Sequence, residues 1–571
     1  MKNKILPILL ITGLISAVSC TDLNINPLSE GSSSSWYSNE TEVTMAINDL
    51  YRLDFWPNYM IPGNDYDLWS DDMMNRDRTT AITSGTLNGQ DGNVIDWWAK
   101  SYKTIARANT IISNLSKIKD KLPQTTIDKF EAEARFIRAS QYAKLISYFG
   151  DVVYNESTLT IDEMFKLGRT DKKAILQKIY ADYDFAAEKL PATYGTAQNL
   201  RATKGAALAM KARIALFFED WAIARDAAKA CMDLGVYELY SDYATLFLSK
   251  TKNSKELVFG IARSTTLNVT IPDTKNYLTR LVGGWGGAMA PTWDLFCSYL
   301  CTDGLPIDES PLFDPRNPFK NRDPRCNATI VEFGTPWLGF VYQPHPDSLK
   351  TQNLKTGARV TNNDNRANAQ FASFNGLCFK KAIDEDWTDD FKAENTNLIM
   401  RYADVLLMFA EAKTELGEID QAMLDVSVNK VRARAYKVSV DNKAVYPEIL
   451  AGDKASVRKA IRTERRMELA MEGRRYEDII RWKIAEKVLS KDMYGMLDPA
   501  DLRNKVVKTG LWFFPQVPPI DDDGCADFEP MYNAGLVKLC AVRNFPGYQY
   551  LWPIPTKEIL INPNLVQNTG Y

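Results

Sequence analysis

Residues 464–482 constrain this chain more than any other stretch. They read Glu-Arg-Arg-Met-Glu-Leu-Ala-Met-Glu-Gly-Arg-Arg-Tyr-Glu-Asp-Ile-Ile-Arg-Trp. Charged and apolar residues alternate at helical spacing, so Ile461, Glu464, Glu468 and Glu472 fall on one row and Arg465 and Leu469 on the next. An exposed helix has no need of so much Arg and so little Lys. Arg offers a planar fork that holds carboxylates and carbonyls in fixed geometry. The expectation is a partly buried Arg/Glu network that fastens this helix to the rest of the protein. Desolvation opposes such pairs, so the network serves specificity better than stability.

The chain has 571 residues, 45% of them hydrophobic, which is enough for a large core. A net charge of -3 gives no support for a nucleic-acid partner. Residues 1–19 read as a signal peptide, with Lys2 and Lys4 ahead of an apolar run too short for a comfortable membrane span. The run ends Ser16-Ala17-Val18-Ser19-Cys20, small residues before a cysteine, and Cys20 is expected to be lipidated. Residues 20–35 form a polar tether, and 36–571 a single domain. Seven cysteines remain of 8 once Cys20 is set aside, an odd number. His345, the one histidine, lies between prolines, as in an exposed loop. A zinc site is not expected, and no metal or cofactor is assigned.

The fold is expected to be mostly α. Helices are read over 41–53, 131–149, 172–190, 203–218, 221–234, 398–416 and 419–435. Small residues (Ala206, Ala207, Ala209, Ala212, Ala224, Ala228) and a tight turn at Glu219-Asp220 mark a tetratricopeptide-like helical hairpin. The helical scaffold spans about 36–250 and 396–487. Irregular, loop-rich regions at about 255–395 and 488–550 are rich in Gly, Pro, Asn and aromatics. Long loops with that texture are functional more often than disordered.

The 464–482 stretch resembles the ERR-x-EL-x-x-EG-x-R-x-x-D-x-x-RW signature of the SusD/RagB family. Other positions are similar to the family's patterns: Trp98, Tyr102, Ile105 and Asn109; Ala134 to Gly150; Asp303-Gly304; Arg322-Asp323-Pro324-Arg325; Met400 to Ala412; and the tail from Pro553 to Tyr571. The resemblance implies a surface lipoprotein of Bacteroidetes that binds nutrients for an outer-membrane transporter. It carries over no specific binding residue, because the family's ligand contacts lie in variable loops.

No serine elbow, phosphate loop or dinucleotide fingerprint occurs. A glycoside hydrolase needs two carboxylates across a cleft, which spacing alone neither shows nor excludes. Asp521-Asp522-Asp523-Gly524 has the flavour of a calcium loop but lacks its ligand spacing, and reads as a solvated turn. Binding fits better: sugar rings stack on flat aromatics while fixed donors and acceptors take their hydroxyls. Three clusters qualify: Asp65, Asp67 and Trp69; Trp285 among its glycines; and Trp337 with Tyr342, with Arg78 as a hydroxyl donor. The expected function is non-enzymatic glycan capture by a protein held to the membrane by lipid, which, as the family resemblance implies, acts as lid of a SusC-type TonB-dependent transporter. A peptide ligand, as in the RagB branch, and a hydrolase are the alternatives.

Overall fold

The computed structural model describes residues 36–59, 66–195, 200–272 and 274–571. The signal, the tether, Cys20 and Asp65 lie outside them. Helices dominate. The principal ones are α1 (Glu40–Asp49), α2 (Gly92–Asn114), α3 (Gln124–Phe149), α4 (Lys172–Lys189), α5 (Lys204–Phe217), α6 (Trp221–Asp233), α7 (Tyr402–Glu415), α8 (Gln421–Val426), α9 (Val428–Ala435), α10 (Lys454–Leu469) and α11 (Arg475–Arg481).

Local sequence sets their ends. Thr203 caps α5 by accepting the Ala206 N–H, and Asp453 caps α10 by accepting from Ala455 and Ser456. Gly150 closes α3 at φ +74°, a conformation that costs glycine little. Each helix packs on the next: α2 on α3, α3 on α4, α4 on α5, α5 on α6. Ala206, Ala209, Ala212, Ala224 and Ala228 are fully buried, as a close crossing requires. α6 then packs on α7, and α7 on α10, so the row continues across the excursion 234–401. That excursion is pinned at its base by an antiparallel pair, Leu257–Ile261 with Asn397–Arg401.

Two expected helices differ. Residues 398–401 are strand, because they pair with Leu257–Ile261 before α7 begins at Tyr402. The 419–435 helix is two, broken at Ser427 (φ -126°, ψ -99°), whose hydroxyl donates back to the Met423 carbonyl at 2.5 Å.

Among the described residues every sheet has two strands. Two hydrophobic cores result. One fills the helical row, with Trp56, Phe136, Trp98 and Trp552. The other fills the excursion and the 488–550 region, with Trp293, Phe296, Phe513, Phe514 and Phe528.

Candidate functional site

The segment between α10 and α11 joins the two cores. Glu464 and Glu468 lie on α10, fully buried. Arg325 Nη1 donates to Glu464 at 2.6 Å and to Glu468 at 2.9 Å. Arg401 reaches Glu468 at 2.6 Å, Glu256 at 2.8 Å and Glu472 at 2.7 Å. Arg434 pairs with Glu256 and Glu468, and Arg432 with Glu464. Beside them Arg465 joins Asp404 and Asp478, Arg481 joins Glu411, and Arg466 spans Asp72 and Asp294.

The network is therefore deeper than expected. Glu472 also departs from the expected helical row: α10 ends at Leu469, and Met471 and Gly473 both adopt φ +63°. Glu472 faces Arg401 from this turn, where Lys381 Nζ also reaches it at 2.7 Å. Burial pulls the Lys381 ammonium down to about 8 against the opposing Glu472 charge. These groups are closed to solvent, and they fasten the molecule.

Most predicted site residues prove structural. Trp69 is 1% exposed, its ring enclosed by Tyr66, Trp97, Tyr476 and Trp552, so the expected ligand contact is corrected to a core position. Asp67 is buried and accepts the Gly473 N–H at 3.1 Å, holding the turn after α10; it too is corrected. Tyr342 is buried with its hydroxyl donating to the Gly376 carbonyl at 2.9 Å, and presents no ring face. Trp337 is half-buried against Val331, Tyr342 and Cys378, in the hairpin Thr335–Trp337 with Phe340–Tyr342. His345 is half-buried, edge-on to Trp512 at 5.1 Å. The acids of 521–523 are taken up by lysines: Asp521 by Lys491, Asp522 by Lys459 and Asp523 by Lys487.

Trp285 differs. It is 46% exposed on a loop folded tightly on itself. Its N–H donates to Lys275, and the Leu278 carbonyl accepts from both Gly286 and Gly287. A Cβ on Gly284 would fall 2.3 Å from the Leu278 oxygen, so no larger residue fits there. Gly286 has φ +73° and lies against the Phe371 carbonyl. Phe371 is likewise 46% exposed.

Arg76 sits between them. Its Nη2 donates to the Trp285 carbonyl at 2.5 Å, and its guanidinium lies 5.2 Å from the Phe371 ring centre. Lys275 Nζ lies 5.7 Å from the Trp285 ring centre. Arg78 is exposed, one turn beyond Arg76. Burial lowers the Arg76 pKa, and the like charges of Arg280 and Arg78 lower it further. Beside Phe371 opens a basin of about 600 Å³ lined by Asp77, Arg366, Phe374, Asp498 and Lys538.

The patch thus gathers Trp285 and Arg78, which the sequence singled out, with Arg76, Lys275, Arg280 and Phe371, which it did not. Long separations along the chain hide that gathering, and its only local signal was an aromatic set among four glycines.

A more enclosed cavity of about 350 Å³ lies between Trp293, Asp294, Lys491, Tyr494 and Phe528. Trp293 and Phe528 are buried, Asp294 is held by Arg466, and Tyr532, 41% exposed, also lines the cavity. A sugar needs open ring faces, and Trp285 and Phe371 offer two with a guanidinium between them. Asp71, Asp294 and Cys525 lie close together, but Arg475 and Arg466 take the carboxylates and burial pushes the thiol pKa up.

Comparison with known proteins agrees with this architecture. Residues 259–571 match the SusD family, and residues 35–216 match a family described as starch-binding associating with outer membrane. A SusD-like protein of Formosa agariphila is 25% identical over 512 residues, 85% of this chain and 91% of the relative. The crystal structure of a SusD-like carbohydrate binding protein from Bacteroides fragilis superposes with a TM-score of 0.77 at 30% identity, covering 93% of this chain and 99% of that one. A laminarin binding SusD-like protein shares the fold at 21% identity and TM-score 0.59, over 94% of this chain and all of its own. The match over residues 259–571 spans more than half of the sequence, and the chain belongs to the SusD family.

Proposed function

We propose that this protein captures glycan at the cell surface and passes it to a TonB-dependent outer-membrane transporter of the SusC type, over which it acts as a lid. One observation carries the ligand assignment: the exposed Trp285 and Phe371 flanking Arg76 on a loop built by close-packed glycines. Two open ring faces receive the apolar faces of a sugar, and the guanidinium between them supplies fixed donors for its oxygens. Lipidation at Cys20 places this body at the outer membrane, where tethering keeps captured ligand near the channel even at modest affinity. The row of paired helices, read as tetratricopeptide-like, is the rigid frame.

Capture is proposed to proceed without cleavage. Glycosidic hydrolysis needs a protonated carboxyl in reach of the ligand. Asp364, whose pKa burial raises to about 6, is enclosed and spends one oxygen on the Arg280 N–H at 2.6 Å.

The test is an affinity gel with a panel of polysaccharides, run with the chain from Thr21 onward. Retardation by a glycan, lost in Trp285→Ala and kept in Trp69→Phe, supports the reading. Retardation that survives Trp285→Ala moves the site elsewhere, and heat released by peptides instead favours the RagB-type ligand. Shortening of the glycan on incubation establishes an enzyme.

A further inference from the structure

The Trp285 patch carries more positive charge than a neutral sugar needs. Arg76 and Lys275 lie beside the two exposed rings, Arg280 packs its stem against Gly286, and Arg280 and Arg78 both repel Arg76, in a chain whose net charge is -3. Among the described residues none of the four forms an ion pair with a carboxylate, and Arg76 Nε, shielded from solvent, has no hydrogen-bond partner. Across the basin Arg366 repeats the pattern. Its Nη2 meets Asp498 at 3.0 Å and its guanidinium lies 4.5 Å from the Phe374 ring centre, while Nε and Nη1 find no partner among the described residues.

The contrast with the interior is direct. Arg325, Arg401 and Arg434 each meet two or more carboxylates. Where this protein encloses a guanidinium it supplies carboxylates, as for these three, or a set of carbonyl oxygens, as for Arg322 and Arg543. At the patch it supplies Asp77 near Arg76 and Asp364 beneath Arg280, against four cations. Arginines crowded against one another, with donors unmet and ring faces open beside them, are matched by an anion on the ligand.

We infer that the Trp285–Phe371 patch selects anionic glycans, sugars bearing carboxylate or sulfate groups, with Arg76 and Arg280 receiving the anion while the rings stack on the pyranose faces. The inference rests on the glycan-binding reading of the same patch.

The test is calorimetry with four polymers: polygalacturonate, its carboxyl-reduced form, a sulfated galactan and its desulfated form. Binding of one charged polymer, at least about tenfold tighter than its uncharged counterpart, is expected. The two charged arms decide between carboxylate and sulfate. Affinity should fall with added salt for the charged polymer. Arg76→Gln and Arg280→Gln should each remove most of the preference. Arg280→Gln is the safeguard if Arg76→Gln disturbs the loop, and Lys119→Gln, far along the chain on the helical scaffold, controls for general attraction.

Equal binding of charged and uncharged forms, lost in Trp285→Ala, overturns the anion inference and leaves the glycan reading standing. Anion preference that survives both arginine variants also overturns it. Failure of all four polymers to bind overturns the inference; if neutral polysaccharides of the affinity-gel panel also fail, the glycan reading falls with it.

Discussion

The α10–α11 hub and the Trp285 patch are built from the same residue types and do opposite things. Both set arginines beside aromatic rings: Arg401 beside Phe247 at 5.6 Å, Arg76 beside Phe371 at 5.2 Å. Arg401 also meets Glu256, Glu468 and Glu472, whereas Arg76 meets a backbone carbonyl and like charges. Counter-charge separates a fastening from a receptor. Arg434 and Arg322 also keep an unpaired Nε beside a ring, but those rings are buried and closed to any ligand. Arg76 stands instead beside an exposed ring, with cations for neighbours.

The comparison breaks most sharply at Arg401. Arg401→Ala leaves Glu256, Glu468 and Glu472 buried around a missing cation, and a loss of about 3–5 kcal/mol is expected. Denaturant unfolding measures it, and an unchanged midpoint would show that the hub is not what joins the two cores.

Much of the hub was legible beforehand. Glu464, Glu468 and Arg465 announced a buried helix face because helical periodicity is local and dense. The partners were not legible: Glu256, Arg325 and Arg434 come from segments far apart in the chain, and only the fold brings them together. Glu472 misled, since its spacing continues the helical row while the backbone leaves the helix at Ala470 (φ -50°, ψ 133°) and turns through Gly473. A Cβ there would fall 2.7 Å from Tyr59. Among the candidate ligand residues, Trp69 and Tyr342 carried the same composition as Trp285. Glycine separated them, because a ring enclosed in a core needs no special backbone, while Gly284 and Gly286 let the loop fold tightly enough to present one.

The next largest effect contrasts the pH response of the two regions. Burial opposes ionisation of Glu468, but Arg434, Arg401 and Arg325 outweigh it and hold the carboxyl well below its usual range. Such a group adds stability above its unfolded pKa, near 4, that is lost as pH falls through the lower folded value. Asp364 beneath the patch has the opposite sign. Burial raises it to about 6 against the pull of the Leu281 and Arg280 N–H groups. Its contribution is complete below the unfolded pKa of 3.8 and lost as pH rises through about 6. Asp364→Asn keeps an oxygen for both N–H groups and removes the titration. The variant should gain on the parent between pH 4 and pH 7, by up to roughly 3 kcal/mol. Parallel stability curves would place the Asp364 carboxyl in water.

Trp285→Ala tests the other side of the comparison. Glycan affinity should fall at least about tenfold, about 1.4 kcal/mol, while stability stays within about 0.5 kcal/mol. A large loss of stability would return Trp285 to the core. Gly286→Ala should act on the same reading indirectly. Its φ of +73° and a Cβ placed 2.6 Å from the Phe371 carbonyl force the loop to shift. A stability loss of about 1 kcal/mol is expected, with weakened binding.

The smallest effect is the most discriminating. Arg78 is exposed, and among the described residues it has no ion-pair partner. It influences Arg76 through its charge alone. If the patch is a receptor for anions, Arg78 acts as a rim charge that steers the ligand and fixes little of it. Arg78→Gln should therefore leave the melting temperature unchanged, weaken an anionic glycan by about two- to threefold at low salt, and lose that effect as salt is added, because a rim charge acts through solvent. The change should fall on the association rate, with dissociation nearly constant. An effect that persists at high salt or falls on dissociation would make Arg78 a direct contact and move the site's centre toward it. No effect at any salt would confine the attraction to Arg76 and Arg280.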